Sequence, residues 1–336
     1  MIIGYIDSPP DLRSLMLTCR TLHHFVEPLL YRHVRMISRN PSSVVALHTL
    51  ERRQDLIPKV HTLHLAASPS SASPIPHSHA QDHKRLWALG VFLHWLRARP
   101  KRQLEHPSII VPRILPHLTN LQALHIDLRS YPYDASTRTY STFLPAISRL
   151  KLTTLGLESH PGWVHGLIPI LRSQPALRHL SLPLAFSIPC LEQTDLPVLE
   201  SFEGEAQAAA MLVPGRPIKK VTIAYRLNQS NASLFIPELG KSTAVRLTEE
   251  GSTIVGLEHL DIGFTVSEPH QGDAGMLRLI SDHMPGLRRL TLRVEVGDKR
   301  CPSVKAALAI MPALFEMVRL LPLHIFQLLK LILHML

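Results

Sequence analysis

SQPALRHLSL, residues 173–182, decides the fold. Leu177, Leu180 and Leu182 follow a Pro-containing turn. The last two are separated by one residue, the alternation that puts both on one face of a strand. Leu177 lies three residues ahead of Leu180, a spacing that suits a turn entering that strand. The same apolar-x-x-apolar-x-apolar unit recurs along the chain. It reads VHTLHL (Val60, Leu63, Leu65), LQALHI (Leu121, Leu124, Ile126), LTTLGL (Leu152, Leu155, Leu157) and IKKVTI (Ile218, Val221, Ile223). It returns as LEHLDI (Leu257, Leu260, Ile262) and LRRLTL (Leu287, Leu290, Leu292), with a worn copy, LESFEG, at Leu199 and Phe202.

From Leu124 onward the intervals between middle positions run from 19 residues (Phe202 to Val221) to 39 (Val221 to Leu260). They scatter around the roughly 20–29 residues of leucine-rich repeats. Longer intervals leave room for helices. Trp163, Leu167, Ile170 and Leu171 share one helical stripe, as do Phe143, Leu144, Ile147 and Leu150, and Met276, Leu277 and Ile280. A strand, a loop and a helix cannot bury their apolar faces alone; stacked units share one aliphatic core. The composition agrees, with 45% apolar residues and only 5% aromatic ones.

The 336 residues carry 36 Lys and Arg against 26 Asp and Glu, a formal charge of +10. This favours acidic partners without choosing among them. The basic residues are dispersed, so nucleic acid is not favoured. The densest basic run, RARPKRQ at 97–103, has no interleaved aromatics and reads as a solvated helix end. Three distant cysteines, Cys19, Cys190 and Cys301, form no CxxC pair and indicate a reducing compartment, cytoplasmic or nuclear. His77, His79 and His83 lie in a Ser/Pro/His-rich stretch, 66–84, expected to be a flexible loop rather than a metal site. An amphipathic helix is expected next, with Leu86, Leu89, Leu93 and Leu96 on one face and Pro100 ending it. No GxSxG, Walker-type, GxGxxG or HExxH motif occurs. The expectation is a non-enzyme without cofactor or metal. Sequons at Asn228 and Asn231 have no signal peptide beside them. The apolar stretch 317–336 is interrupted by Arg319, Pro322, Gln327 and Lys330. A capping or interfacial helix is favoured there over a membrane anchor.

The opening stretch asks for a separate reading. Leu12, Leu15 and Cys19, then Leu22 and Phe25, fall near helical spacing, and Pro28 is expected to restart the chain before Leu29, Leu30 and Tyr31. These apolar groups are too many for so short a segment to hide. They could expose a face to a partner or pack wholly on the first repeat. YIDSPPDLRSLMLTCRTLHHFVEPLLYRHVRM, residues 5–36, resembles the C-terminal two-thirds of an F-box, as found in fungal F-box/leucine-rich-repeat proteins. The matching features are Tyr5-Ile6, the Asp7–Leu12 turn, Leu15, Leu17, Cys19-Arg20 and the closing Leu29-Leu30-Tyr31-Arg32. An F-box ordinarily opens with Leu-Pro-x-Glu, whereas Met1-Ile2-Ile3 falls inside its first helix. The repeats also lack the asparagine that often follows the strand in leucine-rich repeats.

The resemblance implies an α/β protein: a partial F-box (1–40), an irregular leucine-rich-repeat-like solenoid (41–300) and a helical apolar segment (301–336). It implies a ubiquitin-pathway role without catalysis. The F-box would dock on the Skp-type adaptor of a cullin–RING ligase through Leu12, Leu15, Cys19, Phe25, Leu29 and Tyr31, while the repeats hold a protein substrate. The rival expectation is a repeat scaffold independent of ubiquitin, for which the C-terminal tail offers a route to membrane association. Strand-lining polar residues His125, Asp127, Glu158, His179, Thr222, Asp261 and Thr291 are expected on the concave side.

Overall fold

The computed structural model describes residues 9–37, 41–66, 107–127, 143–158, 164–182, 191–227, 229–248, 251–254, 256–266 and 273–296. The expected loop beyond Ala66, the amphipathic helix at 85–100, the histidines at 77, 79 and 83, Cys190, Cys301 and the segment 301–336 lie outside them. The chain divides into two compact units, one spanning 1–120 with 130–143, the other 121–129 with 144–336.

The first unit opens with α1 (Pro9–Met16) and α2 (Arg20–Leu30). The prolines at the start of α1 suit a first turn whose N–H groups have no partner anyway. Cys19 caps α2: its backbone is extended and its Sγ accepts the Leu22 N–H at 3.5 Å. Pro28 does not restart the chain. It lies inside α2, and the Tyr31 N–H reaches the Glu27 carbonyl beyond it. Then come β1 (His33–Ile37), α3 (Pro41–Arg52), β2 (Thr62–Ala66) and α4 (Pro107–Ile114). β1 and β2 pair in parallel, Val34 opposite Leu63 and Met36 opposite Leu65, and all four are buried.

The second unit is a parallel sheet built almost in chain order. Its strands are β3 (Ala123–Asp127), β4 (Thr154–Glu158), β5 (His179–Leu182), β6 (Ser201–Gly204), β7 (Lys220–Leu227), β10 (His259–Val266) and β11 (Arg289–Val296), each parallel to its neighbour. An antiparallel pair, β8 (Val245–Thr248) and β9 (Gly251–Ile254), lies between β7 and β10 in the chain. Together with α7 (Gln229–Leu239), it lies in the longest interval between copies after Leu124. The other helices are α5 (Val164–Arg172), α6 (Ala206–Leu212) and α8 (Asp273–His283); α7 packs on both α6 and α8.

The register explains the sequence pattern. Middle positions pair in one continuous row: Leu124, Leu155, Leu180, Phe202, Val221, Leu260 and Leu290. Every member is at most 1% exposed. Burial of one such side chain is worth roughly 1.5–3 kcal/mol, so the row is a main source of stability. The first motif positions, from Leu121 to Leu287, are buried as well.

A second regularity sits one residue ahead of each strand. The Gln122 carbonyl accepts the N–H groups of both Thr153 and Thr154. Thr153 does the same for Arg178 and His179, Arg178 for Glu200 and Ser201, and Glu200 for Lys219 and Lys220. Lys219 and Glu258 continue the series to Arg288 and Arg289. In the first unit the Arg32 carbonyl takes the N–H groups of His61 and Thr62 in the same way. Tyr31, Val34 and Met36 therefore occupy the three motif positions of a further copy, which the sequence reading assigned to the end of the helical segment.

Irregular polar stitches satisfy buried backbone groups in the loops. Buried Gln174 accepts the Leu152 N–H at 2.9 Å and donates to the carbonyls of Leu150 and Ile147 at 2.7 and 3.3 Å. Ser242 donates to Ile218 O at 2.6 Å. Arg216, 1% exposed, donates from Nε to Asp195 O at 2.9 Å, from one terminal nitrogen to Leu212 O at 2.7 Å, and from the other to Glu192 O. Burial draws its pKa down while the Asp195 carboxylate opposes. These bonds hold a loop in which Leu196 takes φ 60°, a left-handed conformation costing a side-chain-bearing residue about 1–2 kcal/mol.

Gln174→Leu keeps the volume but strands one N–H and two carbonyls in the core. Urea denaturation of this variant should show a loss of about 2–4 kcal/mol. A loss under about 0.5 kcal/mol would mean the stitch is dispensable.

Candidate functional site

Two surfaces stand out, one in each unit. In the first unit, α1 and α2 pack on each other around Leu12, 5% exposed, and Val26, fully buried. α1 ends at Met16, so Leu17 leaves the helical stripe and stands 88% exposed. The turn is fixed by Thr18, whose N–H and Oγ1 both donate to the Leu15 carbonyl, the hydroxyl at 2.7 Å. Phe25, next to buried Val26 on α2, is 53% exposed. Single exposed apolar side chains are ordinary on a surface; two on one short helix pair are the material from which a docking patch could be made.

The pair is anchored from behind by one guanidinium. Arg53 grips both carboxylate oxygens of Glu27 on α2 at 3.1 Å, and both of Asp55 at 2.8 and 2.7 Å. Two-pronged geometry of this kind is the strong form of an ion pair. The hydrogen bonds it donates to Asp55, then to Glu27, raise the already high pKa of Arg53, and in return Asp55 is held below the ordinary carboxylate range. Burial, reinforced by nearby Glu27, pushes the Tyr31 phenol up.

The six residues expected to meet an adaptor divide accordingly. Leu12 is core; Leu15, Leu29 and Tyr31 are half-buried; Cys19 is exposed and engaged as a cap; Phe25 is exposed. Leu17, not among the six expected contacts, is the most exposed large apolar residue among those described. Its position just past the helical stripe was the available signal.

In the second unit the candidate surface is the polar face of the sheet. His125, Asp127, Glu158, His179, Thr222, Asp261 and Thr291 all alternate with buried residues and stand partly or fully exposed, as the alternation predicts. The His125 ring lies over Gly156, where a Cβ would come 2.3 Å from its Nδ1. Burial there pulls the imidazole pKa down, with Glu203 opposing. His179 Nδ1 is 2.9 Å from Ser201 Oγ, and in the first unit His33 Nδ1 is 3.1 Å from Thr62 Oγ1. In both cases a histidine at the start of a strand bonds the hydroxyl paired with it in the register.

Among the described residues no group of three or more His, Cys, Asp or Glu is placed to share a metal ion. No described helix is long and apolar enough to cross a membrane. Neither a family model nor a curated protein matches the chain.

Thermal denaturation should separate core from surface. Phe25→Asp should cost under about 1 kcal/mol, as exposed positions do, whereas Leu12→Asp buries a carboxylate and should cost about 3 kcal/mol or more. Equal losses would mean that Phe25 is part of the core.

Proposed function

We propose that this chain is a non-catalytic substrate-recognition adaptor of a cullin–RING ubiquitin ligase, with α1 and α2 docking on a Skp-type adaptor and the parallel strands forming a leucine-rich-repeat-like platform for a protein substrate. The observation that carries the reading is the helix pair presenting Leu17 and Phe25 to solvent and running directly into the strand β1. Supporting the platform is the repeated unit: one carbonyl shared by two N–H groups, one apolar row in register, and connectors of unequal length. Such a protein breaks no bond. It raises the effective concentration of substrate at the ligase, so its function rests on two binding surfaces held by one chain.

Docking would bury Leu17 and Phe25 while Leu12 and Val26 keep the helices together. A test must therefore avoid Leu12, whose substitution would act through folding. Co-purification of the full chain with a Skp-type adaptor should succeed for the wild type. The Leu17→Asp/Phe25→Asp variant should bind about 100-fold more weakly, the loss of two apolar anchors, while keeping its circular dichroism spectrum. A folded wild-type chain that does not co-purify with the adaptor overturns the reading and favours a repeat scaffold independent of ubiquitin.

A further inference from the structure

The polar face of the second unit carries an uneven charge. Lys220, His259 and Arg289 are direct register partners on β7, β10 and β11, so they form one row across three adjacent strands at about 4.8 Å per step. Lys219 and Arg288 are exposed in the turns one residue earlier. In the turns ahead of β5 and β6, Arg178 holds Glu200 at 3.2 Å. By contrast, no salt bridge among the described residues engages Lys219, Lys220, Arg288 or Arg289. Four cations are thus gathered beside a histidine, with Glu258 as the acidic group in their midst.

We propose that this row is a docking site for a carboxylate-rich segment of a partner protein. The assignment rests on the adaptor reading for the partner being a substrate, and deepens it by giving that substrate's chemistry. Charge complementarity selects the occupant. Two further features favour an acidic peptide over a nucleic acid. The basic strip is narrow, about 10 Å from Lys220 to Arg289, which matches the three-residue repeat of a polyproline-II-like peptide, about 9.3 Å with side chains on one side. The next row along the strands is acidic at two of its positions, with Glu203 and Asp261 flanking Thr222. A continuous phosphate backbone crossing the face would meet those carboxylates, whereas a short peptide along the basic row would not.

His259 supplies a signature. Burial, then Arg289, hold its imidazole below the ordinary range; Lys220 and Arg288 act in the same sense and Glu258 opposes. A bound carboxylate would favour the imidazolium and raise that pKa. Binding would then take up a proton, and affinity would rise as pH falls through the histidine range.

The experiment uses the full chain without any adaptor, so that it succeeds or fails independently of ligase assembly. A fluorescein-labelled Asp/Glu-rich peptide is titrated by fluorescence polarisation near physiological salt, with a single-stranded oligonucleotide of equal charge as the rival probe. The peptide should bind, and bind more tightly at about pH 6 than at about pH 8. Lys220→Glu/Arg289→Glu should weaken it about tenfold or more, and Lys59→Glu/Lys151→Glu, two exposed cations elsewhere, by less than about twofold. His259→Gln should remove the pH dependence. Circular dichroism confirms that each variant is folded. Equal weakening by the two charge reversals would show that the +10 net charge binds the peptide non-specifically, and would overturn the proposal. Tighter binding of the oligonucleotide, or affinity that does not change with pH, would also overturn it.

Discussion

The shared carbonyl ahead of each strand is the constraint on which the rest of the structure depends. Two N–H groups from one turn converge on a single oxygen of the turn before, so each strand must begin level with its neighbour. That fixes the register, and the register fixes the faces. A slip of one residue would turn Leu155, Leu180 and Val221 outward and bury Thr154, His179 and Lys220. The apolar row and the polar rows are therefore two consequences of one hydrogen-bond arrangement. The same unit appears at Arg32, where it starts a strand at His33 in place of a longer helix.

Between these fixed points the connections vary widely, and the variation is stabilised locally. Gln174, Ser242 and Arg216 each satisfy buried backbone groups left by an irregular loop. None of the three recurs at a fixed place in the repeat. The cost is visible at Leu196, which accepts a left-handed backbone beneath Arg216. The outward rows carry an uneven chemistry, with a basic row at Lys220, His259 and Arg289.

Much of the sheet could be read from the sequence because its signal is local. Alternation at Leu124 and Ile126, or at Leu290 and Leu292, reports a strand directly, and even the worn copy at Leu199 and Phe202 proved to be β6. The helical stripe at Leu167, Ile170 and Leu171 is buried as expected. What could not be read depended on context. Tyr31-x-x-Val34-x-Met36 fits the repeat, but the same residues close the family resemblance, and the resemblance was given priority. The β8–β9 pair has no repeat spacing to reveal it. On the first helices, apolarity alone could not say which leucine is core: Leu12 and Leu17 differ because α1 stops between them. The link between Arg53 and α2 joins residues distant in the chain, with no pattern to announce it.

The central claim is that one chain holds an adaptor-docking helix pair at the start of a repeat platform. Hydrogen exchange with mass spectrometry, on the full chain with and without a Skp-type adaptor, tests it most directly. The expected result is slowed exchange in peptides covering Leu17 to Phe25, with peptides covering β7, β10 and β11 unchanged. Unchanged exchange across α1 and α2 at saturating adaptor, or protection confined to the sheet, would contradict it.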